Sequence, residues 1–484
     1  MMRAYAVPAV RAAEAAAMEG LEEGELMQRA ARGLAEVALT RLEERGDRVV
    51  VLAGSGDNGG DALWAGAHLA TSDANVVVVL VGSREHTAGL SAAREAGAVV
   101  LEWRSGSAAD SVRSALAEAD VVLDGIVGIG GSPGLPDHLR ELPDLIGDEA
   151  YLIAVDLPSG CDPAGLVGAD SIFADETVTF SLLKPCHLMP ATEPAVGLLT
   201  VVDIGVAEPS STPAVERLTH DDVADLWPVP GPADDKYSRG VLGSITGSSA
   251  FTGAALLSLT AAVTAGAGMV RYVGPDHPAE LLRAAVPEAV FGDGRCQAYV
   301  FGSGWSAEDA DETQLSVARE QLAGDLPMVI DAGGLDLLSA PRSAPTLLTP
   351  HAGELKRLIE RLDLDEPAGV AGAQAVADHL SVTVLLKGAV TAVVSPSAYG
   401  QPVRTQADAP AWLGTAGSGD VLGGLAGMLL AAGLEPGVAG ALAALVHGAA
   451  GRRANPGGPV RALDVAHALG PTIAALLTAR PRSQ

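Results

Sequence analysis

Gly417, Ser418, Gly419 and Asp420 form a run whose residue types could do chemistry. Small residues lead into a carboxylate and the apolar stretch VLGGLAGMLLAAG follows, so the run reads as a loop opening into a buried helix. The first turn of a helix carries backbone N–H groups without partners. With the helix dipole they favour an anion, and the missing side chains let phosphate oxygens come close. An Asp placed there either caps the helix or serves as a base beside the anion, and this segment alone leaves both readings open.

Two further residues belong to the same half of the chain. Lys387, at the end of VTVLLKG and before a turn and a returning strand, is one of only four lysines and is a candidate phosphate partner, against the usual surface role of a lysine. His351, in LLTPHAGE, precedes a helix whose first turn carries Glu354. Ligand contact and a structural role both stay open for it.

The N-terminal half offers a different set. VVVLAGSGDNGGDALWAGAHLA reads as a strand, a glycine-rich loop from Gly54 to Gly60 and a helix beginning near Asp61, with Asn58 and Asp61 as polar contacts. It lacks the Lys of a P-loop and does not keep the Gly-x-Gly-x-x-Gly register. Asp124 ends the next apolar run and a second glycine-rich loop, Gly128 to Gly134, follows it; Asp156 and Ser159 close a third run, YLIAVDLPSG. Asn58, Asp124, Asp156 and Ser159 together supply hard oxygen ligands for a cation and a spare carboxylate for proton transfer. Taken singly, each is more often a cap or turn residue.

These residues all sit where short Val- and Ile-rich runs end in Gly, Asp or Pro, and such runs alternate with Ala- and Leu-rich helical stretches. That rhythm predicts parallel, doubly wound sheets, which bind ligands beyond the carboxyl ends of their strands. The rhythm is interrupted once, by the Pro-, Ser- and Asp-rich segment following Asp203, and it resumes at GVLGSITGSS. We therefore expect an α/β protein of two domains, residues 1–212 and 213–484.

The chain has 484 residues and a net charge of −29, which repels nucleic acid and anionic membrane, so an anionic ligand must be held by local groups. Cys161, Cys186 and Cys296 have neither disulfide nor zinc spacing, the N-terminus lacks an apolar core of signal-peptide type, and no apolar run reaches membrane-spanning length unbroken. A cytoplasmic location is expected, without nucleic-acid or membrane partners, and homo-oligomerisation is expected too.

LMQRAARGLA, GSGDNGGDALWAGAHLA, DGIVGIGGSPGL, VDLPSGCDP and ADETVTFSLLKPCHLMPA, in this order, resemble the NAD(P)H-hydrate epimerase domain, a Rossmann-like fold, over roughly residues 1–210. The resemblance implies that Asp57, Asn58, Gly59, Gly60 and Asp61, with Gly128, Ile129, Gly130, Gly131, Ser132, Pro133 and Gly134, embrace the hydrated dinucleotide. It implies that Asn58, Asp124 and Ser159 bind potassium and that Asp156 contacts the hydrated nicotinamide, where it is the candidate acid/base. Asp57 and Ala62 depart from the family, which usually shows Asn and Gly there.

The glycine run with Lys387 resembles the ribokinase-like superfamily, in which an anion hole, a Lys, Mg²⁺ and one base suffice for phosphoryl transfer. KYSRGVLGSITGSSAFTGAA, PHAGE, LLKG, TAGSGDVLGGLAGMLLAAG and HGAAG are similar to the ADP-dependent NAD(P)H-hydrate dehydratase. This implies that Lys387, Gly388, Ala389, Val390 and Thr391, with Gly417, Ser418 and Gly419, hold ADP. It also implies that Ala254, Gly304, His351 and Asp420 contact the hydrated cofactor (NADHX or NADPHX), with Asp420 as the base. Ser303 and Ala352 stand where that family often has Pro. As a whole the chain resembles the bifunctional NAD(P)H-hydrate repair family. Two other readings remain: a ribokinase-like small-molecule kinase, and a non-catalytic nucleotide-binding role for the N-terminal domain.

Overall fold

The computed structural model describes residues 1–103, 110–305 and 312–478. It divides into two compact units, Arg3–Val215 and Met1–Met2 with Glu216–Gln484. Each has its own sheet and its own core, and the expected α/β organisation is met in both.

In the first unit the strands are β1 (Arg48–Ala53), β2 (Asn75–Leu80), β3 (Val99–Glu102), β4 (Val121–Gly125), β5 (Tyr151–Val155), β6 (Glu176–Phe180) and β7 (Leu198–Val202). They lie in the order β3-β2-β1-β4-β5-β6-β7, all parallel. Unbroken apolar runs such as RVVVLA suit strands covered on both faces. Val49, Val51 and Val78 enter one apolar cluster, and Val50, Leu52 and Val79 enter another across the sheet. The chain runs outward from β1 to β3 and then returns to place β4 on the other side of β1. That reversal opens a crevice beyond the ends of β1 and β4.

Three helices shape the crevice: α1 (Val7–Met18), α2 (Glu25–Arg45) and α3 (Asp57–Thr71). The sequence places the start of α3 near Asp61, but the helix begins at Asp57, and Gly60 N–H already bonds Gly56 C=O at 3.2 Å. Asn58, Gly59 and Gly60 are therefore first-turn residues; glycine pairs suggest a loop, and packing against the sheet overrides that preference. Ala62 on α3 is accommodated by Gly125 at the end of β4, where a Cβ would stand 2.3 Å from the Ala62 Cβ.

In the second unit β8 (Val241–Ile245), β9 (Met269–Tyr272), β10 (Val290–Phe291), β11 (Ala298–Phe301), β12 (Met328–Ile330), β13 (Thr346–Leu348), β14 (Thr383–Leu386), β15 (Thr391–Val394) and β16 (Val403–Gln406) are nine neighbouring strands of an eleven-stranded sheet. They run β16-β15-β14-β13-β12-β11-β8-β9-β10. The pairs from β14 to β10 are parallel, whereas β14–β15 and β15–β16 are antiparallel. The reversal point falls between β8 and β11.

Four helices matter to the site: α4 (Thr252–Thr264), α5 (Ala352–Arg361), α6 (Ser418–Ala431) and α7 (Pro436–Ala454). The small residues of α6 let backbones meet: a Cβ on Gly424 would stand 2.1 Å from the Ser258 carbonyl oxygen of α4. Apolar clusters on the two sides of the sheet, one with α4, α6 and α7 and one with α5, complete the sandwich.

Candidate active sites

In the first unit the crevice is a cavity of about 1120 Å³ whose lining includes Gly54–Asn58, Asp61, Ile126–Gly131 and Asp156. The N–H groups of Asp57, Asn58 and Gly59 precede the first intrahelical bond of α3, so this wall can receive an anion. Gly59 and Gly60 lie behind the cavity wall; a Cβ on Gly60 would meet Met27 at 2.8 Å. Ser132, Pro133 and Gly134 continue the second loop without lining the cavity, and Gly134 N–H bonds Gly160 C=O at 2.8 Å.

Asp124 and Ser159 are fully buried and bonded together: Ser159 Oγ donates to Asp124 Oδ1 at 2.6 Å and Ser159 N–H to Asp124 Oδ2 at 2.8 Å. Val127 N–H donates to Ser159 Oγ at 3.0 Å. Burial pushes the Asp124 carboxyl up to about 6, against the pull of its bonds to Ser159 and Ile126 N–H. Asn58 is buried beside Gly128, where a Cβ would lie 3.0 Å from the Asn58 Oδ1, and its Nδ2 is without a hydrogen-bond partner.

Asp156 has φ +67°, a left-handed conformation that a non-glycine residue adopts at a cost and that aims its carboxylate into the cavity. Lys184, buried just beyond β6, makes a short ion pair with Asp156 Oδ1, and Thr179 Oγ1 donates to the same oxygen at 3.0 Å. His187 Nδ1 accepts Lys184 N–H at 3.2 Å, so Nε2 carries the proton and donates to Asp156 C=O at 2.8 Å. Burial first, and Lys184 second, hold His187 down at about 4, so it stays neutral. Asp61 shares the cavity; burial, then the neighbouring Asp156, Asp57 and Glu14, push its carboxyl well above the usual range.

In the second unit Gly417 caps α6 with φ +87°, a glycine conformation, and Asp420 lies half-buried in the first turn. Across from it Asp331, at the end of β12, is a hub: Lys387 Nζ donates to its Oδ1 at 2.8 Å, Thr349 Oγ1 to Oδ1 at 2.9 Å and Ser303 Oγ to Oδ2 at 3.2 Å. Lys387 also stands 3.8 Å from Glu354 Oε2, and a Cβ on Gly419 would be 3.3 Å from Nζ. Burial lowers the Lys387 ammonium, but Asp331 and Glu354 outweigh it and hold it above its ordinary value. Burial, reinforced by the Asp331 charge, pushes Asp420 up to about 7, with Lys387 and the Ser303 hydroxyl pulling the other way. Ser303 thus has a polar role that Pro could not fill.

His351 is the N-cap of α5: its Nδ1 accepts Gly353 N–H at 3.0 Å, and Glu354 Oε2 accepts its own N–H at 2.8 Å. It remains exposed, and it bridges in parallel to Lys387. Ala254 and Gly304 meet at the reversal point, where a Cβ on Gly304 would be 2.6 Å from the Ala254 Cβ. Gly388, Ala389 and Val390 form the turn between β14 and β15, and Thr391 opens β15. Ser418 Oγ lies 3.5 Å from His447 Nε2 on α7, and burial lowers that imidazole to about 4. The structure thus assembles Asp420, Lys387 and Gly419 at one point. Lys184 and Asp331 emerge only in three dimensions, although VIDAGG carries the same strand-end Asp signal as VLDGIVG and AVDLPSG.

Residues 242–468 match the family model described as NAD(P)H-hydrate dehydratase, and residues 23–186 match the model of the YjeF-related protein N-terminus. The bifunctional NAD(P)H-hydrate repair enzyme Nnr of Mycobacterium leprae is 41% identical over 479 residues, covering 94% of this chain and 95% of that protein. The chain belongs to the bifunctional NAD(P)H-hydrate repair enzyme family. The Mycobacterium tuberculosis repair enzyme is also 41% identical, over 461 residues that cover 91% of this chain and 92% of that one. Among solved structures, a ribokinase-like superfamily protein from Enterococcus faecalis aligns with a TM-score of 0.49 and 20% identity, covering 56% of this chain and 99% of that chain. Members of the repair family and this chain thus share both halves in the same order.

Proposed function

We propose that this protein repairs hydrated nicotinamide dinucleotides in two steps. Residues 1–212 interconvert the C6 epimers of NADHX and NADPHX, and residues 213–484 dehydrate the S epimer at the expense of ADP, giving NADH or NADPH, AMP and phosphate.

In the first step the C6 hydroxyl takes a proton and leaves as water while the ring nitrogen lone pair forms an iminium ion. Water then adds to the opposite face and gives up a proton. Asp156 handles that proton, and its carboxylate, fixed by Lys184 and Thr179, stabilises the cation between the two events. The first-turn N–H groups of α3 and the Gly128–Gly131 backbone receive the phosphates. Asn58, Asp124 and Ser159 suit potassium: one fully buried carboxylate bonded only to neutral donors among the described residues, with neutral oxygens beside it, matches a monovalent cation. Potassium there would supply positive charge at the loop after β4.

In the second step Asp420 takes the proton of the C6 hydroxyl, whose oxygen attacks the terminal phosphorus of ADP as the bond to AMP breaks. The ring nitrogen lone pair expels the phosphate from C6, and loss of a C5 proton restores the dihydronicotinamide. The Gly417–Gly419 N–H groups and Lys387 steady the transferring phosphoryl group. No cluster of three or more His, Cys, Asp or Glu side chains able to hold a metal exists among the described residues, so Mg²⁺ would enter with the nucleotide's phosphates.

The observation that carries the reading is Asp420 at the glycine-capped start of α6, its carboxyl pushed up to about 7 and Lys387 nearby. We infer a cytoplasmic homo-oligomer; no helix among the described residues is long and apolar enough to cross a membrane. The test is incubation with mixed NADHX epimers, K⁺, Mg²⁺ and ADP, following dihydronicotinamide absorbance, and again with ATP. Complete ADP-dependent recovery supports both steps. Recovery of one epimer's share sinks the epimerase, and a stable phosphorylated product made from ATP would point to a kinase instead.

A further inference from the structure

The cavity of the first unit has an unusual charge distribution for a site that receives an anionic dinucleotide. Glu14, Asp57, Asp61 and Asp156 all line it, yet among the described lining residues Arg11 is the only Lys or Arg. Arg11 lies on α1, exposed and lining the cavity; it makes no hydrogen bond or salt bridge among the described residues, and the charge it acts on is that of Glu14 on the same helix. Its Nη2 stands 3.5 Å from where a Cβ on Gly130 would be, directly over the glycine-rich loop after β4.

The helix that carries it is anchored. Val10, its neighbour, is fully buried, and Tyr5 N–H, just before α1, bonds Leu183 C=O at 2.8 Å, next to Lys184. A guanidinium on a fixed helix, facing the glycine backbone at Gly130, leaves a gap that a phosphate oxygen can fill with two parallel N–H bonds. In an acidic cavity such a cation offsets the repulsion of the surrounding carboxylates, adding at the ligand's surface to the charge that potassium would bring behind the same loop.

We propose that Arg11 is the residue that binds a phosphate group of the hydrated dinucleotide and thereby sets the affinity of the epimerase site. This rests on the epimerase reading above. The chemistry is shared by two groups of the ligand, the bridging pyrophosphate, present in NADHX and NADPHX alike, and the 2′-phosphate, present in NADPHX alone. Arg11 acts on binding and takes no part in proton transfer, so its contribution is equal in the ground and transition states and appears in KM.

The test uses the full chain without ADP, following R-to-S conversion of each hydrate by chromatographic separation of the epimers, for wild type, Arg11→Ala and Arg11→Lys. Arg11→Ala is expected to raise KM about 10- to 100-fold, the scale of a lost charge-assisted bond, with kcat within about twofold. Arg11→Lys recovers part of the loss. ADP-dependent dehydration of the S epimer, run on the same samples, stays at the wild-type rate and reports the amount of intact second unit, while the retained epimerase kcat reports intact folding of the first. A rise for both hydrates places Arg11 on the pyrophosphate; a rise for NADPHX alone places it on the 2′-phosphate. An unchanged KM for both, or a lower kcat with KM unchanged, overturns the proposal while leaving the epimerase reading in place. A wild-type protein that inverts neither hydrate overturns both.

Discussion

Lys184 Nζ is bonded to Asp156 and Thr179 at once, with the Thr179 hydroxyl 3.0 Å from each of them, in a site where the lysine is closed off from solvent. A buried ammonium is tolerated because a carboxylate and a hydroxyl meet it, and the carboxylate is held in place in return.

Removing the ammonium therefore strands a carboxylate. Lys184→Met should destabilise the first unit by about 3 kcal/mol and lower epimerase kcat far more than it changes KM. Chemical denaturation and epimer interconversion would measure the two effects. In the double variant with Asp156→Ala, the stability loss should be smaller than the sum of the single losses, because neither charge is left alone; strict additivity would mean that the pair is not coupled.

Asp420→Asn should abolish ADP-dependent dehydration while ADP still binds and epimerisation continues. It should also stabilise the second unit. The Asp420 carboxyl titrates at about 7 in the folded chain, above its ordinary 3.8, so the folded state binds the proton more tightly than the unfolded one. Stability from this group is therefore greatest below the unfolded value and is lost as pH rises towards 7. The Tm gain of Asp420→Asn should be larger at pH 8 than at pH 4, and an equal gain at both would contradict the assignment.

The same carboxyl sets a rate profile. A base must be ionised to act, so kcat/KM for dehydration should rise with pH through about 7 and then level. Asp331→Asn removes the neighbouring negative charge and should move that rising limb to lower pH. It should also weaken nucleotide binding, because Lys387 loses the partner that positions it. A limb that stays in place would remove Asp331 from the electrostatics of Asp420.

Potassium should matter only to the first unit. Exchanging K⁺ for a large organic cation should slow epimerisation and leave dehydration of the S epimer unchanged, and Asp124→Asn should remove the K⁺ dependence. Thermal shift with and without K⁺ offers an independent reading, since a cation beside a fully buried carboxylate stabilises the folded form.

The strands and their ends were legible because a parallel sheet covered on both faces demands continuous Val, Leu and Ile, and the break in each run marks its carboxyl end. Asp124 and Asp156 are legible in this way, and Asp420 is legible from the glycine run that opens a buried apolar helix. Lys184 is not: a single lysine after an apolar run reads as a surface residue, and only the packing beyond β6 encloses it. Asp331 has the same signal at the end of β12, but its partners Ser303, Thr349 and Lys387 come from distant strand ends and only the fold brings them to it. The start of α3 is not legible, because Gly59 and Gly60 look like loop, whereas in the fold their lack of side chains serves close contact with Gly54 and Met27.

Each unit carries its own sheet between its own apolar clusters. A lesion that melts one core therefore need not spread to the other, and a single translation event delivers the two catalysts in equal numbers. For a pair of reactions in which one supplies the epimer that the other consumes, that fixed ratio keeps the unused form of the hydrate from accumulating, without any regulator having to match their abundance.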